Sequence, residues 1–129
     1  MKTYFKAVLV TTALFVFISC AAQRTSSSNA TGKVTIGQDD NGKEFTLSLN
    51  KKFTATFNEC RGCADIWRFS DIDSTVIGFV SKRYSKPSCT GCVGGNHDVS
   101  FNFKTLHKGR SALTFNYFKQ KVSVIIIVE

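Results

Sequence analysis

Two cysteine pairs of identical spacing are the residues of this sequence best suited to do chemistry. The first is Cys60-Arg61-Gly62-Cys63, and the second is Cys89-Thr90-Gly91-Cys92, which continues into Val93-Gly94-Gly95. Two cysteines separated by two residues can bond to each other or share one metal ion. The glycine before each second cysteine permits a tight turn, because glycine accepts backbone angles that other residues avoid. We therefore predict that both C-x-G-C motifs are turns between β-strands.

Three kinds of chemistry fit this arrangement. Cys60, Cys63, Cys89 and Cys92 could bind one zinc ion as thiolates, although the interval between the pairs falls slightly outside the usual zinc-ribbon range. The same four residues could form structural disulfides, which an oxidising compartment favours. A redox-active pair normally needs a helix N-terminus to lower a thiol pKa, and the surrounding sequence is rich in β-strands. We favour disulfides over zinc, and zinc over redox chemistry, so we expect no required cofactor.

The connectivity of such disulfides is open at this stage. A bond inside one motif closes a very small loop and contributes about 2 kcal/mol on the chain-entropy model. A bond from Cys60 or Cys63 to Cys89 or Cys92 closes a loop of about thirty residues and contributes about 3.5 kcal/mol. Pairing between the motifs would stabilise the domain more, and the sequence does not choose between the two patterns.

The histidines do not complete a catalytic constellation. His97 and His107 show no Ser-His-Asp or Cys-His spacing that is typical of a hydrolase. His97-Asp98 follows the second C-x-G-C motif, where we interpret it as part of a solvated loop. The sequence therefore predicts a protein that is not an enzyme.

Residues 1–19 have the pattern of a signal peptide. Lys2 and Lys6 form its basic start. The apolar run that follows, Ala7–Ile18, is shorter than a transmembrane helix usually requires. Phe17-Ile18-Ser19-Cys20 resembles the bacterial lipobox, with Phe17 where leucine is usual. In that motif the cysteine is lipidated and becomes the new N-terminus. We predict a bacterial envelope lipoprotein anchored through Cys20.

The cysteine count agrees with a lipid on Cys20. The sequence has five cysteines, and an odd number leaves one without a disulfide partner in an exported protein. Assigning Cys20 to the lipid leaves two matched pairs. The alternative is ordinary cleavage after Ala21 or Ala22, which also predicts export. Residues 20–32 are rich in Ser, Thr and Asn and are predicted to be a flexible tether. Residues 33–129 have a length that suits one domain with one core.

Beyond the tether, apolar residues recur with the period of two that is typical of β-strands. We predict strands at the following places: Val34–Ile36, Phe45–Leu49, Phe53–Phe57, Ile66–Phe69, Thr75–Val80, Val99–Phe103, Leu113–Tyr117 and Val122–Val128. The last run is almost continuous Val and Ile, which predicts a strand covered on both faces. Many short strands separated by Gly, Asn and Asp turns indicate an all-β antiparallel sandwich or barrel. The twelve phenylalanines are expected to fill much of its core.

The positive charge of the sequence excludes few classes of function, but it is compatible with an acidic binding partner or surface. The formal net charge is +8, and Lys82, Arg83 and Lys86 are predicted to cluster in one loop. Nucleic acid is a poor candidate partner, because the protein is predicted to be exported and no aromatic and basic platform is visible. A solvated face, or attraction to an acidic partner or envelope surface, fits better.

From Gly94 onward the sequence has a Gly-Gly turn (Gly94-Gly95), a strand with alternating aromatic residues (Phe101-Asn102-Phe103), a glycine (Gly109) and a strand that ends in tyrosine (Leu113–Tyr117). This order resembles the pattern of the chagasin family, which inhibits papain-like cysteine peptidases. Upstream, Asn58–Cys63 falls where the family has N-P-T-T-G-[FY], and Trp67 falls near its following tryptophan. The resemblance covers Phe45 to Val128.

This resemblance implies an immunoglobulin-like antiparallel β-sandwich of about seven to eight strands. In the family, three loops at one end form a wedge that fills the active-site cleft of the peptidase. The implied peptidase-binding residues are Asn58, Glu59, Cys60, Arg61, Gly62, Cys63, Gly91, Val93, Gly94, Gly95, Phe118 and Lys119. The sequence departs from the family pattern where Cys60 and Arg61 replace two threonines. It also lacks the R-P-W segment after the tyrosine, where Lys119 takes the place of the arginine.

The sequence therefore predicts an exported, lipid-anchored and monomeric inhibitor of cysteine peptidases that acts by occlusion. One alternative is an envelope lipoprotein that uses the sandwich as a structural or adhesive module. The other is a small zinc-binding or thiol-redox protein that uses both C-x-G-C motifs. Peptidase inhibition distinguishes the first two functions, and thiol and metal content distinguish the third.

Overall fold

The structure, a computed structural model, describes residues 33–85 and 94–129. In chain order its elements are β1 (Val34–Ile36), a short 3-10 helix (Gln38–Asp40), β2 (Glu44–Leu47), β3 (Lys52–Cys60), β4 (Arg68–Ser70), β5 (Ile77–Tyr84), β6 (Asn96–Thr105), β7 (Gly109–Tyr117) and β8 (Gln120–Val128). Residues 1–32, with the predicted signal peptide, Cys20 and tether, lie outside the described residues. So do Lys86, Cys89, Gly91, Cys92 and Val93.

The strands form two four-stranded sheets. The first has the order β1-β3-β6-β5 and the second the order β2-β8-β7-β4. Most neighbours are antiparallel, but β1 pairs with β3 and β2 pairs with β8 in parallel. The predicted all-β, immunoglobulin-like sandwich is confirmed, and these two parallel pairs refine the antiparallel arrangement that we expected.

The core lies between the two sheets and is rich in aromatic rings. Inward-facing residues recur at every second position, as the period of two predicts. Phe57 and Phe101 of the first sheet meet Phe115 of the second, with ring centroids 4.7 and 5.5 Å apart respectively. The expectation that phenylalanines fill much of the core is confirmed for Phe45, Phe53, Phe57, Phe101, Phe103 and Phe115. Phe79 and Phe118 are instead exposed.

The two ends of the sandwich differ in what they carry. Strands β3 and β7 run toward one end, where the chain turns at Cys60 and after Tyr117. We call this the loop end. β1 is parallel to β3, with Val34 opposite Phe53, so Lys33 lies at the other end. We call that other end the base.

Three details of the predicted strands are wrong. Lys82 and Arg83 lie on β5 rather than in a loop, because β5 continues to Tyr84 beyond an irregularity between Phe79 and Ser81. β2 ends at Leu47, which leaves Leu49 exposed in the following turn. β8 is buried on one face and only partly covered on the other, since its residues from Val122 onward alternate between buried and partly exposed.

Among the described residues, no helix is both long enough and apolar enough to cross a membrane.

Candidate functional site

Three connections between strands meet at the loop end. Loop 1 is residues 61–67 and crosses from the end of β3 in the first sheet to β4 in the second. Loop 2 joins β5 to β6, and Ser85, Gly94 and Gly95 are its described residues. Loop 3 is the two-residue turn Phe118-Lys119 between β7 and β8. Because loop 1 bridges the sheets, it lies between the other two loops.

Hydrogen bonds fix loop 1 on both sides. The amide of Arg61 donates to the carbonyl oxygen of Gly95 in loop 2 over 2.9 Å. The amide of Phe118 in loop 3 donates to Oδ2 of Asp65 over 2.6 Å. The same carboxylate accepts from the amide of Ile66 through Oδ1 at 2.9 Å. Loop 1 is therefore held to loop 3 and to the described end of loop 2.

The electrostatics of Asp65 follow from these contacts. The amides of Phe118 and Ile66 donate to its carboxylate and hold its pKa below the ordinary value of 3.8, and the nearby Arg68 guanidinium adds to this effect. Arg68 Nη1 lies 3.4 Å from Oδ1. The charged form of Asp65 is thus the form that joins loop 1 to loop 3.

An aromatic stack supports the loops from below. Trp67 is fully buried, and its ring lies 4.4 Å from that of Phe57 and 5.1 Å from that of Tyr117. Trp67 Nε1 donates to the carbonyl oxygen of Asn58 over 2.9 Å. The Tyr117 hydroxyl accepts from the amide of Cys60 over 3.1 Å. Each ring thus packs in the core and uses its polar atom to hold the end of β3, as buried Trp and Tyr usually do.

Glu59 has a different place from the one predicted. We expected it to face a peptidase, but its side chain is only 3% exposed. Oε2 accepts from the amide of Trp67 at 2.7 Å, and Oε1 lies 3.2 Å from Nε2 of His97. Glu59 is the next inward position after Phe53, Ala55 and Phe57, so the strand turns it toward the core. It positions loop 1 instead of presenting a binding surface.

The interpretation of His97 as a solvated loop residue is also wrong. His97 lies on β6, opposite Glu59 on β3, and its side chain is 13% exposed. Its ring contacts that of Tyr84 edge to face, with centroids 5.0 Å apart. Strand pairing brings His97 under loop 1. The sequence could not show this contact, because it depends on which strands become neighbours.

Glycines in loops 1 and 2 have the backbone conformation that favours glycine. Gly62 has a φ of +89° and Gly95 a φ of +107°. A Cβ atom at either position would meet no heavy atom within 4 Å. These glycines are therefore needed for the turn itself, and they leave the backbone open to approach from solvent.

The first cysteine pair forms a disulfide. Cys60 and Cys63 are bonded, with a Cα–Cα distance of 5.5 Å. For this motif the structure selects pairing inside the turn over pairing between the two motifs. Cys60 and Cys63 are consequently not thiolates that could bind zinc together with Cys89 and Cys92, which lie outside the described residues. Within the described part of the chain, no group of three or more His, Cys, Asp or Glu residues could hold a metal ion.

The solvent side of the loop end combines polar and apolar surface. A shallow cleft of about 370 Å³ is bounded by Cys60–Cys63, Ile66, Tyr84 and His97. Ile66 is 42% exposed, and Phe118 in loop 3 is 60% exposed. Together with Tyr84, which is 53% exposed, they are the large apolar side chains that the described part of the loop end presents to solvent.

The structure brings most of the predicted binding residues together. Asn58, Arg61, Gly62, Cys63, Gly94, Gly95, Phe118 and Lys119 are exposed, and they lie in or beside the three loops. Asp65, Ile66 and Tyr84 belong to the same region but were not predicted. For Ile66 the sequence carried one signal, an apolar residue directly before Trp67 at the end of the first cysteine loop. Nothing in the sequence indicated the role of Asp65.

Comparison with solved structures identifies the fold as that of chagasin-like proteins, as the sequence resemblance implied. The chain is similar to the cysteine protease inhibitor EhICP2 from Entamoeba histolytica, with a TM-score of 0.66 and 10% sequence identity over 74% of this chain and 95% of that one. It is also similar to amebosin, with a TM-score of 0.59 and 9% identity over 76% of this chain and 99% of that one.

A third alignment is weaker. It is with PbICP-C, whose structure was determined in complex with falcipain-2, and it has a TM-score of 0.40 and 14% identity over 79% of this chain and 92% of that one. No protein-family model matches the sequence, and comparison with curated proteins gives no match.

Proposed function

We propose that this protein is an exported, lipid-anchored inhibitor of papain-like cysteine peptidases that blocks the active-site cleft with its loop end. The observation that carries the proposal is that loop 1 is fixed between loops 2 and 3 through Arg61 and Asp65. A surface that is already ordered loses little conformational entropy when it binds. The structural relative EhICP2 is described as a cysteine protease inhibitor, which supports a binding protein over an enzyme.

The middle of the surface is suited to a narrow cleft. Arg61-Gly62 is exposed at the turn of loop 1, and the space beside the α-carbon of Gly62 is empty. Backbone without a side chain can approach the walls of a groove closely. The disulfide between Cys60 and Cys63 and the bond to Gly95 supply rigidity, in place of the proline found in the chagasin motif.

Loop 3 supports the proposal through the conformation of Phe118. Its φ is +49°, the left-handed region that two-residue hairpin turns require and that bulky residues rarely adopt. Its ring is nevertheless exposed, although it contacts the ring of Tyr117 at 4.7 Å. A strained position that holds an exposed aromatic residue is a frequent feature of binding sites. We propose that Phe118 and Lys119 contact the peptidase beside loop 1.

The position of the base supports anchoring in the envelope. Lys33 begins the described domain at the end opposite the loops. A lipid on Cys20 and a tether of residues 20–32 would therefore leave the loop end directed away from the membrane. Mass spectrometry of the mature N-terminus tests this part of the proposal. A diacylated or triacylated Cys20 is expected, and an unmodified peptide that begins at Ala22 or Gln23 would contradict it.

The experiment that tests inhibition uses residues 32–129 against a panel of cysteine peptidases. The panel should contain papain-like enzymes and the exported cysteine peptidases of the producing organism. We expect reversible inhibition in which the domain is not cleaved. Arg61→Ala removes an exposed cation at the turn, and Gly95→Trp adds bulk where the backbone must approach. Both should weaken inhibition, whereas Lys43→Ala, which removes an exposed side chain paired with Asp40, should not.

A negative panel would favour the alternative function. If excess domain leaves every peptidase fully active, the inhibitor proposal is wrong and a structural or adhesive lipoprotein becomes the better interpretation. Thiol and zinc content in protein taken from its native compartment tests the third function. We expect Cys89 and Cys92 to be oxidised as well, so four free thiols with bound zinc would support metal binding instead.

A further inference from the structure

We propose that the Cys60–Cys63 disulfide is an electrophile that the catalytic cysteine of a docked peptidase attacks to form a transient mixed disulfide with Cys63. This inference rests on the proposed function, since docking must bring the two sulfur sites together. It changes the expected inhibition from pure occlusion to occlusion followed by a reversible covalent bond.

The disulfide lies at the part of the loop end that a docked peptidase would place next to its catalytic cysteine. It closes the first turn of loop 1, which is the central one of the three loops, and both of its cysteines line the shallow cleft at the loop end. Cys63 is an exposed residue, while Cys60 is partly covered at the end of β3. Between them, Gly62 has open space beside its α-carbon, so no side chain covers the turn at that position. A nucleophile that enters from the loop end therefore reaches Cys63 more easily than Cys60.

The two cysteines also differ in how firmly they are held. Cys60 pairs with Asn96 on β6, and its amide donates to the Tyr117 hydroxyl over 3.1 Å. Cys63 lies in the turn beyond Gly62 and belongs to no strand. When the disulfide opens, Cys60 stays fixed on the sandwich and Cys63 can follow the peptidase. This arrangement assigns Cys63 as the attacked residue and Cys60 as the leaving and resolving residue.

The surroundings favour Cys60 as a leaving group. Arg61, which is exposed and positively charged, follows Cys60 directly in the chain and lines the same cleft. A nearby positive charge stabilises a thiolate, and a more stable thiolate leaves faster in disulfide exchange. Papain-like peptidases supply the other reactant, because they keep their catalytic cysteine as a thiolate at neutral pH.

The exchange balances without any further reagent. The thiolate sulfur of the peptidase attacks Sγ of Cys63 and forms a new sulfur–sulfur bond. The Cys60–Cys63 bond breaks, and its electron pair leaves with Sγ of Cys60 as a thiolate. The peptidase cysteine is oxidised to a mixed disulfide, and Cys60 is reduced. In the reverse step, Cys60 attacks Sγ of Cys63 and releases the peptidase thiolate, which is favoured because Cys60 remains close by.

The test uses the full chain, exported by a bacterial host and purified without reductant, together with papain that has been activated and freed of reductant. After mixing, N-ethylmaleimide stops the exchange by alkylating the released Cys60 thiolate. Intact mass spectrometry under non-reducing conditions should find a one-to-one adduct that disappears when reductant is added. Peptide mapping should place the mixed disulfide on Cys63 and the maleimide on Cys60.

Two controls separate this inference from the proposed function. A papain variant with serine in place of its catalytic cysteine should bind the chain by occlusion and form no adduct. The Cys60→Ser, Cys63→Ser double variant should form no adduct with active papain, and circular dichroism should show that its sandwich is intact. Binding of the serine papain without any adduct from active papain would overturn this inference alone, as would an adduct on Cys89 or Cys92. If neither papain nor any other peptidase of the panel binds the chain, both proposals are overturned.

Discussion

The amide of Phe118 donates a hydrogen bond of 2.6 Å to the carboxylate of Asp65, and this contact joins loop 3 to loop 1 at the loop end. Asp65 also accepts from the amide of Ile66, so one carboxylate orders two backbone segments. The loop end therefore depends on a negative charge that lies at its surface. This dependence makes its stability sensitive to acid.

The first prediction concerns pH. The pKa of Asp65 is lower in the folded protein than its ordinary value of 3.8, because backbone amides donate to the charged form. The unfolded chain consequently binds this proton more readily, and the contribution of Asp65 to stability is complete above about pH 5. It is lost as the pH falls through the folded pKa. Asp65→Asn should lower the melting temperature at pH 7, and the difference from the parent should shrink toward pH 3.

The matched control for this prediction is Asp39→Asn. Asp39 is exposed on the short 3-10 helix and lies outside the three loops. Its substitution should leave the pH dependence of the melting temperature close to that of the parent. Thermal unfolding followed by circular dichroism between pH 3 and pH 7 measures both variants, and an Asp65→Asn difference that does not change with pH would contradict the argument.

A second prediction tests the bond between Tyr117 and β3. Tyr117→Phe keeps the ring that stacks on Trp67 but removes the oxygen that accepts from the amide of Cys60. We expect a loss of about 1 kcal/mol in the free energy of unfolding, because a partly buried donor loses its partner. Urea denaturation measures it. Tyr84→Phe removes an exposed hydroxyl from β5 and should change stability by much less, so equal effects would exclude the proposed role of Tyr117.

The third prediction concerns the buried carboxylate. Glu59→Ala leaves the amide of Trp67 and the ring of His97 without their common acceptor, and it should cost about 2 kcal/mol of stability. Glu44→Ala is the control, because Glu44 pairs with Arg110 at the surface, where ion pairs contribute about 0–1 kcal/mol. If the two substitutions cost the same, Glu59 does not position loop 1.

The alternation of apolar residues was enough to predict most of the sandwich. Leu113, Phe115 and Tyr117 recur at every second position because one face of β7 packs against the core. The same pattern continues from Phe57 to Glu59, so a buried carboxylate was predictable from position alone. The resemblance instead places Glu59 in a peptidase-binding loop. A carboxylate at an inward position needs a partner, and His97 comes beside Glu59 only through strand pairing.

Other features depend on contacts that leave no local trace in the sequence. β5 continues past Val80 after a register shift relative to β6. The shift interrupts the period of two, so the sequence does not show that Lys82 and Arg83 lie on a strand. The parallel pairing of β1 with β3 depends on where the chain crosses between sheets. The choice of Cys60–Cys63 pairing over pairing between motifs depends on the geometry of one turn. Period and spacing alone do not specify such relationships.

A fourth prediction concerns reduction of the protein. Opening the Cys60–Cys63 bond releases a very small loop, which the chain-entropy model values at about 2 kcal/mol. The Cys60→Ser, Cys63→Ser double variant should therefore melt below the oxidised parent, and reductant should lower the melting temperature of the parent more than that of the double variant. Thermal unfolding with and without reductant measures the effect. A double variant as stable as the oxidised parent would show that the disulfide serves a purpose other than stability.

The last prediction separates stability from function at Phe118. Phe118→Asn places a residue that tolerates positive φ where the backbone angle is +49°, and it keeps the amide that donates to Asp65. Relief of the strained backbone should add about 1 kcal/mol to the free energy of unfolding. The substitution also removes an aromatic side chain that is 60% exposed at the loop end, so inhibition of a sensitive peptidase should weaken. Leu49→Asn, which removes an exposed apolar side chain at the base, should leave inhibition unchanged. Urea denaturation and inhibition constants measured on the same preparations test both effects, and a stabilised Phe118→Asn variant with undiminished inhibition would exclude loop 3 from the binding surface.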